Sequence, residues 1–248
     1  WWLRVTPNKF SALDPNTVFE RIGEGIYDMA TGFGVHEVIV ESPRHNHTWG
    51  TSTDKEFEEL FWAYRDRLIN LLNNTKLKYV LIFKNYGPEA GASQVHPHSQ
   101  LIGLPVVPKR VIEEQEASED YYRYKERCPV CDIIRQEKAD GRRLIAESEY
   151  FVAVAPFASY HPFQIMIMPK DHQPFFERLE KGMMMDLARL FRQVFWALAQ
   201  VLGDPPFNCV LHTTPPASTG DERCSHWHFE VVPRLTKVSG FEWGSGFY

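Results

Sequence analysis

Long hydrophobic runs are missing from this chain. No apolar stretch approaches the roughly 18–20 residues that a bilayer core requires, so a membrane-spanning helix is not expected. Basic charge is not in excess either: 27 Lys and Arg against 32 Asp and Glu give a formal net charge of −5. That balance excludes a general binder of phosphate backbones, and no nucleic-acid partner is expected. Cysteine is sparse, four residues in all (Cys128, Cys131, Cys209 and Cys224). Two of them form the pair Cys128-Pro129-Val130-Cys131, which in a cytosolic protein points to metal binding or redox chemistry more than to a structural disulfide. An initiating Met and a signal peptide are also missing, and the chain starts Trp1-Trp2-Leu3-Arg4. The expectation is a cytoplasmic protein whose natural N-terminus, with any ligands it carries, lies upstream. What remains is an ordinary globular mix, 44% hydrophobic and 24% charged, over 248 residues. That length suffices for one large domain or two small ones.

The chain repeats itself. His36-Glu37-Val38-Ile39-Val40 reads as a strand and leads into Ser42-Pro43-Arg44-His45. Phe163-Gln164-Ile165-Met166-Ile167-Met168 does the same and leads into Pro169-Lys170-Asp171-His172. A helical pattern follows each. Phe57, Leu60, Phe61, Tyr64, Leu68 and Leu71 recur at helical spacing behind a capping box, Thr53-x-x-Glu56; Leu187, Leu190, Phe191, Val194, Phe195 and Leu198 mark a second helix over roughly 177–202. Each helix leads to another strand, a polar loop (85–95 and 212–225), and then a histidine-rich strand: His96-Pro97-His98-Ser99-Gln100 and His226-Trp227-His228-Phe229-Glu230. His45 to His96 spans 51 positions and His172 to His226 spans 54. These matches predict an α+β chain of two tandem units, 1–115 and 116–248, each an antiparallel sheet with a packed helix. The charged link at 109–127 is expected to be a helix or a solvated connection.

The run from His96 to Gln100 carries the chemistry. On a strand, alternate side chains share a face, so His96, His98 and Gln100 are expected to line one surface. Pro97 cannot donate to a ladder and marks an edge or an irregularity. A neutral imidazole is a good nucleophile toward phosphorus near pH 7, provided its second nitrogen keeps a proton and a partner. Gln100 can donate to a phosphoryl oxygen as charge builds there. The small residues of 87–92, beginning with Gly87, let backbone amides approach phosphates, and Ser93 adds a hydroxyl.

Cys128, Cys131, His172 and His226 make the ligand set of a closed tetrahedral zinc site, the two histidines being chosen by the repeat. By the same logic His45 and His96 are half of a first metal site, with a second cysteine pair expected upstream of Trp1. Cys209 reads as core and Cys224 as a loop thiol. His47 and His161 read as surface or packing residues, and His212 as a possible contact to substrate or metal. His228 matches His98, but Glu230 replaces the amide of Gln100. A carboxylate repels a phosphate, so the second half is expected to be structural support.

These residues resemble the galactose-1-phosphate uridylyltransferase family and its ADP-glucose phosphorylase relatives, within the histidine-triad superfamily. The likeness rests on 7–13, 34–45, Asn85-Tyr86-Gly87, His96-Pro97-His98-Ser99-Gln100, Ala155-Pro156-Phe157 and Pro169-Lys170-Asp171-His172. It implies two histidine-triad-like units and a ping-pong reaction. His98 would take UMP from UDP-glucose and pass it to galactose 1-phosphate. Gln100 would stabilise the transferred group, Asn85 and Ser93 would contact phosphates, and His45 and His96 would ligate zinc. The resemblance further implies a homodimer, with Phe241 and Glu242, after Gly240, contacting the sugar phosphate. Two alternatives stand beside this reading: adenylyl transfer from ADP-glucose to phosphate, and a zinc-stabilised nucleotide-binding protein with no transfer activity. Cys128 and Cys131 lean toward the adenylyl relatives.

Overall fold

The computed structural model describes residues 1–216, 221–237 and 239–246, so part of the second polar loop, 217–220, lies outside the described residues. The first half contributes β1 (Arg4–Pro7), β2 (Arg21–Glu24), β3 (Tyr27–Ala30), β4 (Val35–Val40), α1 (Asp54–Leu72), β5 (Tyr79–Tyr86) and β6 (His98–Leu104). Two helices follow, α2 (Lys109–Lys125) and α3 (Pro129–Asp140). The second half contributes β7 (Leu144–Glu147), β8 (Phe151–Val154), β9 (Ile165–Pro169), α4 (Lys181–Leu202), β10 (Phe207–His212), β11 (His228–Pro233) and α5 (Gly240–Ser245).

The architecture is α+β with antiparallel pairing throughout the main sheet. The sequence suggests a sheet per unit; the structure joins them. One nine-stranded sheet runs β1-β4-β6-β5-β10-β11-β9-β8-β7, and β5 and β10 form the seam. Counted outward from that seam, each half presents its strands in the same order, as a duplication requires. β2 and β3 form a separate exposed hairpin.

Both long helices lie on one face of the sheet. Thr53 caps α1 by accepting from the Glu56 amide, and Glu56 bonds back to the Thr53 backbone. The predicted positions Phe57, Leu60, Phe61, Tyr64, Leu68 and Leu71 are its buried residues. α4 starts at Lys181, four residues later than the periodicity suggests, because a 3₁₀ turn over Phe176–Arg178 precedes it. It ends at Gly203, whose left-handed φ of 70° suits a residue without Cβ. Trp49, Phe57, Phe61, Phe191, Phe195, Phe207 and Phe229 interlock in edge-to-face and tilted pairs, with ring centroids 4.7–6.2 Å apart, across residues from both halves. This aromatic cluster sits at the centre of the core. α2 lies on the opposite face. No described helix is long and apolar enough to cross a membrane.

Candidate functional site

Strand alternation decides which side chains reach the open face. In β6, Ser99 and Leu101 are fully buried toward the helices, so His98 and Gln100 point the other way. The strand begins only at His98. His96 lies outside that regular strand, yet it borders the same cleft as His98. Pro97 has no N–H for a ladder bond, and the chain turns before it so that His96 points toward His45.

His98 is held by its own backbone. Its Nδ1 lies 2.8 Å from the His96 carbonyl oxygen and donates to it, which leaves the lone pair on Nε2. The imidazole lines a cleft of about 450 Å³ with Asn85, Gly87, Ser93 and His96. Gly87 has φ 82°, and a Cβ there would stand 2.6 Å from Pro206, so the loop requires glycine.

The two amides near His98 are oriented by partners the sequence does not reveal. Gln100 Oε1 lies 2.9 Å from His36 Nε2. The Ala12 N–H approaches the other ring nitrogen at 3.5 Å, a pattern that puts the His36 proton on Nε2 and turns the Gln100 NH₂ outward. The Asn8 amide nitrogen packs against the same ring, 3.0 Å from Nε2. Asn85 Oδ1 accepts from Asn208 Nδ2 at 2.8 Å across the seam, and Asn208 also donates to the Ala90 carbonyl, 2.8 Å. Arg234 Nε bonds Asn208 Oδ1. Both site amides thus have their oxygens engaged and their donors left for an anion. His36 and Asn208 are distant in sequence from their partners, and only strand pairing brings them in.

Four metal-capable atoms converge in the second half. Ligand atoms of Cys128, Cys131, His172 and His226 lie within 4.8 Å of one another. Cys131 Sγ is 3.6 Å from His172 Nδ1 and 3.5 Å from His226 Nδ1; Cys128 Sγ is 3.7 Å from His226 Nδ1. Tetrahedral zinc with Zn–S of about 2.3 Å and Zn–N of about 2.0–2.1 Å sets S···N separations of roughly 3.6 Å. The outer nitrogens are fixed: His172 Nε2 meets the Glu222 carbonyl at 2.8 Å and His226 Nε2 the Pro169 carbonyl at 2.9 Å. A hydrogen bond with Cys131, joined by ones from His172 and His226, outweighs burial and holds the Cys128 thiol well below the usual range. The donor set therefore fits zinc.

The first half repeats this pattern with two ligands. His96 Nε2 meets the Ser42 carbonyl at 2.8 Å, as His226 meets that of Pro169, and its Nδ1 lies 2.9 Å from His45 Nδ1. Two ring nitrogens facing each other so closely suit a shared cation. Among the described residues no third donor completes this pair.

His228 repeats His98 but faces no cleft. Its Nδ1 lies 3.2 Å from the His226 carbonyl, and its ring stacks on His212 at 4.6 Å. α2 covers this place. Glu114 Oε2 is 3.0 Å from His212 Nδ1, and Glu114 Oε1 is 3.8 Å from His228 Nδ1. The acidic link is thus a helix, and one of its carboxylates turns inward rather than into water. Burial opposes a charge on His212, yet Glu114 and Glu230 prevail and raise its pKa to about 9. Burial drops His228 to about 4. Burial works against the Glu114 charge, but the two histidines bring its pKa down to about 2. Glu114, His212 and His228 form a second group whose geometry could hold a metal, and the buried His212 Nε2 lies 3.6 Å from Glu230 Oε2.

Other residues fall as follows. Cys209 is core, and Cys224 is a buried loop thiol bonded to the Asp221 carbonyl. His47 packs against Ser52, and His161 meets Arg234. Phe241 and Glu242 sit on α5, which Ser239 caps, and they do not line the His98 cleft of this chain.

Comparison with known proteins identifies the family. An ADP-glucose phosphorylase of Arabidopsis thaliana is 36% identical over the whole chain, and the match covers 70% of that protein. A galactose-1-phosphate uridylyltransferase of Thermotoga maritima is 28% identical over 85% of the chain. The chain spans about two thirds of the length of these relatives (70% and 66%). A crystal structure of the Arabidopsis ADP-glucose phosphorylase with bound ADP-glucose superposes with a TM-score of 0.87 at 35% identity, covering all of this chain and 77% of that one. A uridylyltransferase structure gives 0.91 at 29% identity, covering all of this chain and 80% of that one. Residues 3–108 match the N-terminal domain of galactose-1-phosphate uridyl transferase and residues 112–243 its C-terminal domain, so the chain belongs to that family.

Proposed function

We propose that this protein is a nucleotidyltransferase in which His98 Nε2 carries a nucleoside monophosphate between two phosphate acceptors. One observation carries the reading: His98 lines the cleft and donates Nδ1–H to the His96 carbonyl, which keeps the ring's lone pair on Nε2. That nitrogen attacks the α-phosphorus of a nucleoside diphosphate glucose. The bond from phosphorus to the bridging oxygen breaks, and glucose 1-phosphate leaves with the electron pair. The Nδ1–H bond to His96 stabilises the positive charge on the phosphorylated ring. Gln100 and Asn85 donate to the phosphoryl oxygens, and Ser93 and the Gly87 loop border the phosphates. In the second step an acceptor phosphate attacks phosphorus from the opposite side and Nε2 leaves.

Two substrate pairs fit this chemistry. Adenylyl transfer from ADP-glucose to phosphate is favoured by the 36% identity to the Arabidopsis phosphorylase over the whole chain. Uridylyl transfer from UDP-glucose to galactose 1-phosphate is supported by the more distant uridylyltransferases. Cys128, Cys131, His172 and His226 would hold zinc in a structural role, tying α3 to β9 and β11. His45 and His96 would hold a second ion with ligands from elsewhere. In a cytoplasmic homodimer of such two-unit chains, divided near 115, Phe241 and Glu242 would contact the sugar phosphate in the partner's cleft.

Intact mass after incubation with ADP-glucose or UDP-glucose tests the proposal. A gain of AMP or UMP, absent from His98→Asn, is expected and identifies the base. A His98→Asn protein that transfers at the parent rate overturns the covalent step, and a parent that binds the nucleotide sugars but transfers nothing is a binding protein.

A further inference from the structure

Beneath His98, on the helix side of the sheet, lies a polar network that the reaction above does not use. Lys84 and Glu41 are buried, 2% and 7% exposed, with Nζ and Oε2 2.8 Å apart. Lys84 Nζ also donates to the main-chain carbonyl of His98 at 3.1 Å. Glu41 Oε2 accepts from Trp49 Nε1 at 2.9 Å, and Oε1 accepts from Ser99 Oγ. Tyr64 Oη lies 2.5 Å from the same Ser99 hydroxyl. The Glu41 N–H donates to the Pro97 carbonyl at 3.1 Å. The paired side chains therefore grip residues 98 and 99, and the Glu41 main chain holds residue 97.

Stability is a poor reason for such a pair. Removing two charges from water costs about as much as their attraction returns, and apolar replacements are often neutral or better. The duplicated fold supplies its own control. Strand register pairs Gln100 with Val38 and Phe83 in the first half, and Glu230 with Met166 and Val210 in the second. Counting from those residues, the positions of Glu41, Lys84 and Ser99 correspond to Pro169, Leu211 and Phe229. All three are buried and apolar. The same scaffold thus forms without the network, in the half whose histidine faces no cleft.

The half that has the network also has the harder task. The His98 ring bonds to the carbonyl two residues back, so its direction depends on the backbone from His96 to His98. Pro97 withholds a ladder bond within that stretch. In-line attack needs the reacting nitrogen placed to within about 0.5 Å.

We propose that Glu41 and Lys84 are a positioning pair for the nucleophile. Lys84 fixes the His98 carbonyl, Glu41 fixes Pro97 and Ser99, and together they aim Nε2 into the cleft. The inference rests on the reading of His98 as nucleophile. The test is the double substitution Glu41→Gln with Lys84→Met. It leaves no charge in the network; the amide oxygen keeps an acceptor for Trp49, and the Ser99 hydroxyl can accept from the amide NH₂ and donate to Tyr64, so the bond to the His98 carbonyl is the principal loss. Lys84→Met alone is the second variant if the double fails to fold. The expected result is a protein that melts close to the parent and binds AMP or UMP with parental affinity, yet forms the histidine adduct at least ~10-fold more slowly. Nitrogen-15 NMR of the His98 ring should change from a single Nδ1–H tautomer to a mixture. A folded variant that forms the adduct within twofold of the parent rate, with its ring still in the Nδ1–H tautomer, overturns the pair's role. If the parent itself forms no adduct with either nucleotide sugar, the nucleophile reading fails. The ring spectrum still decides the inference: a mixture supports it, and an unchanged tautomer overturns it.

Discussion

At the scale of single residues, the site is a set of imidazoles and amides whose second atoms are occupied by protein. Asn208 is the sharpest case, because it orients Asn85 from the other half of the chain. Removing a bond of this kind costs about 1–1.5 kcal/mol, so Asn208→Ala is expected to lower kcat/KM roughly 5- to 10-fold in steady-state assays. Gln100→Ala should lower it further, since that side chain donates directly. Zinc retention tests the other cluster. Cys131→Ser should reduce the metal content measured by mass spectrometry by one equivalent and lower Tm by roughly 5–10 °C, at about 2–4 °C per kcal/mol for a chain of this size. His98, Gln100 and the clustering of Cys128, Cys131, His172 and His226 were legible in the sequence because they form short runs or recur by repeat. His36, Asn208, Glu41 and Lys84 were not. Each acts on a residue 14 to 123 positions away, and only the strand register places them there.

Among the elements, α2 departs most from what its composition suggests. Its charge reads as a wet surface, and most of it is one, but Glu114 turns toward His212 and His228. The two histidines give its docking a pH optimum. The folded pKa of His212, about 9, lies above its ordinary 6.5, so its contribution is complete below 6.5 and disappears as pH rises through 9. The folded pKa of His228, about 4, lies below its ordinary 6.5, so its contribution is complete above 6.5 and disappears as pH falls through 4. In chelator-treated protein, the protection factors of α2 amides, corrected for the intrinsic pH dependence of exchange, should be highest near pH 6.5 and fall on both sides. His212→Gln should remove the alkaline limb alone. The strand carrying His98 teaches a related lesson. Alternation assigned His98 and Gln100 to one face, but it could not show that the regular ladder begins only after Pro97, which leaves His96 beside the cleft and turned toward His45.

For the molecule as a whole, the seam between β5 and β10 matters most. The repeat revealed two units and their helices; the sequence carries no local signal that two strands, more than 100 residues apart, share a ladder. With that ladder and the aromatic cluster shared, the halves should melt together. A single calorimetric transition is expected, coincident by far-UV circular dichroism and tryptophan fluorescence. Two resolved transitions would show that the seam couples them weakly. Duplication normally doubles capacity, yet here a helix rests over one of the two histidines. The arithmetic of occupancy follows: nucleotide titrated into the protein should saturate at one equivalent per polypeptide, not two.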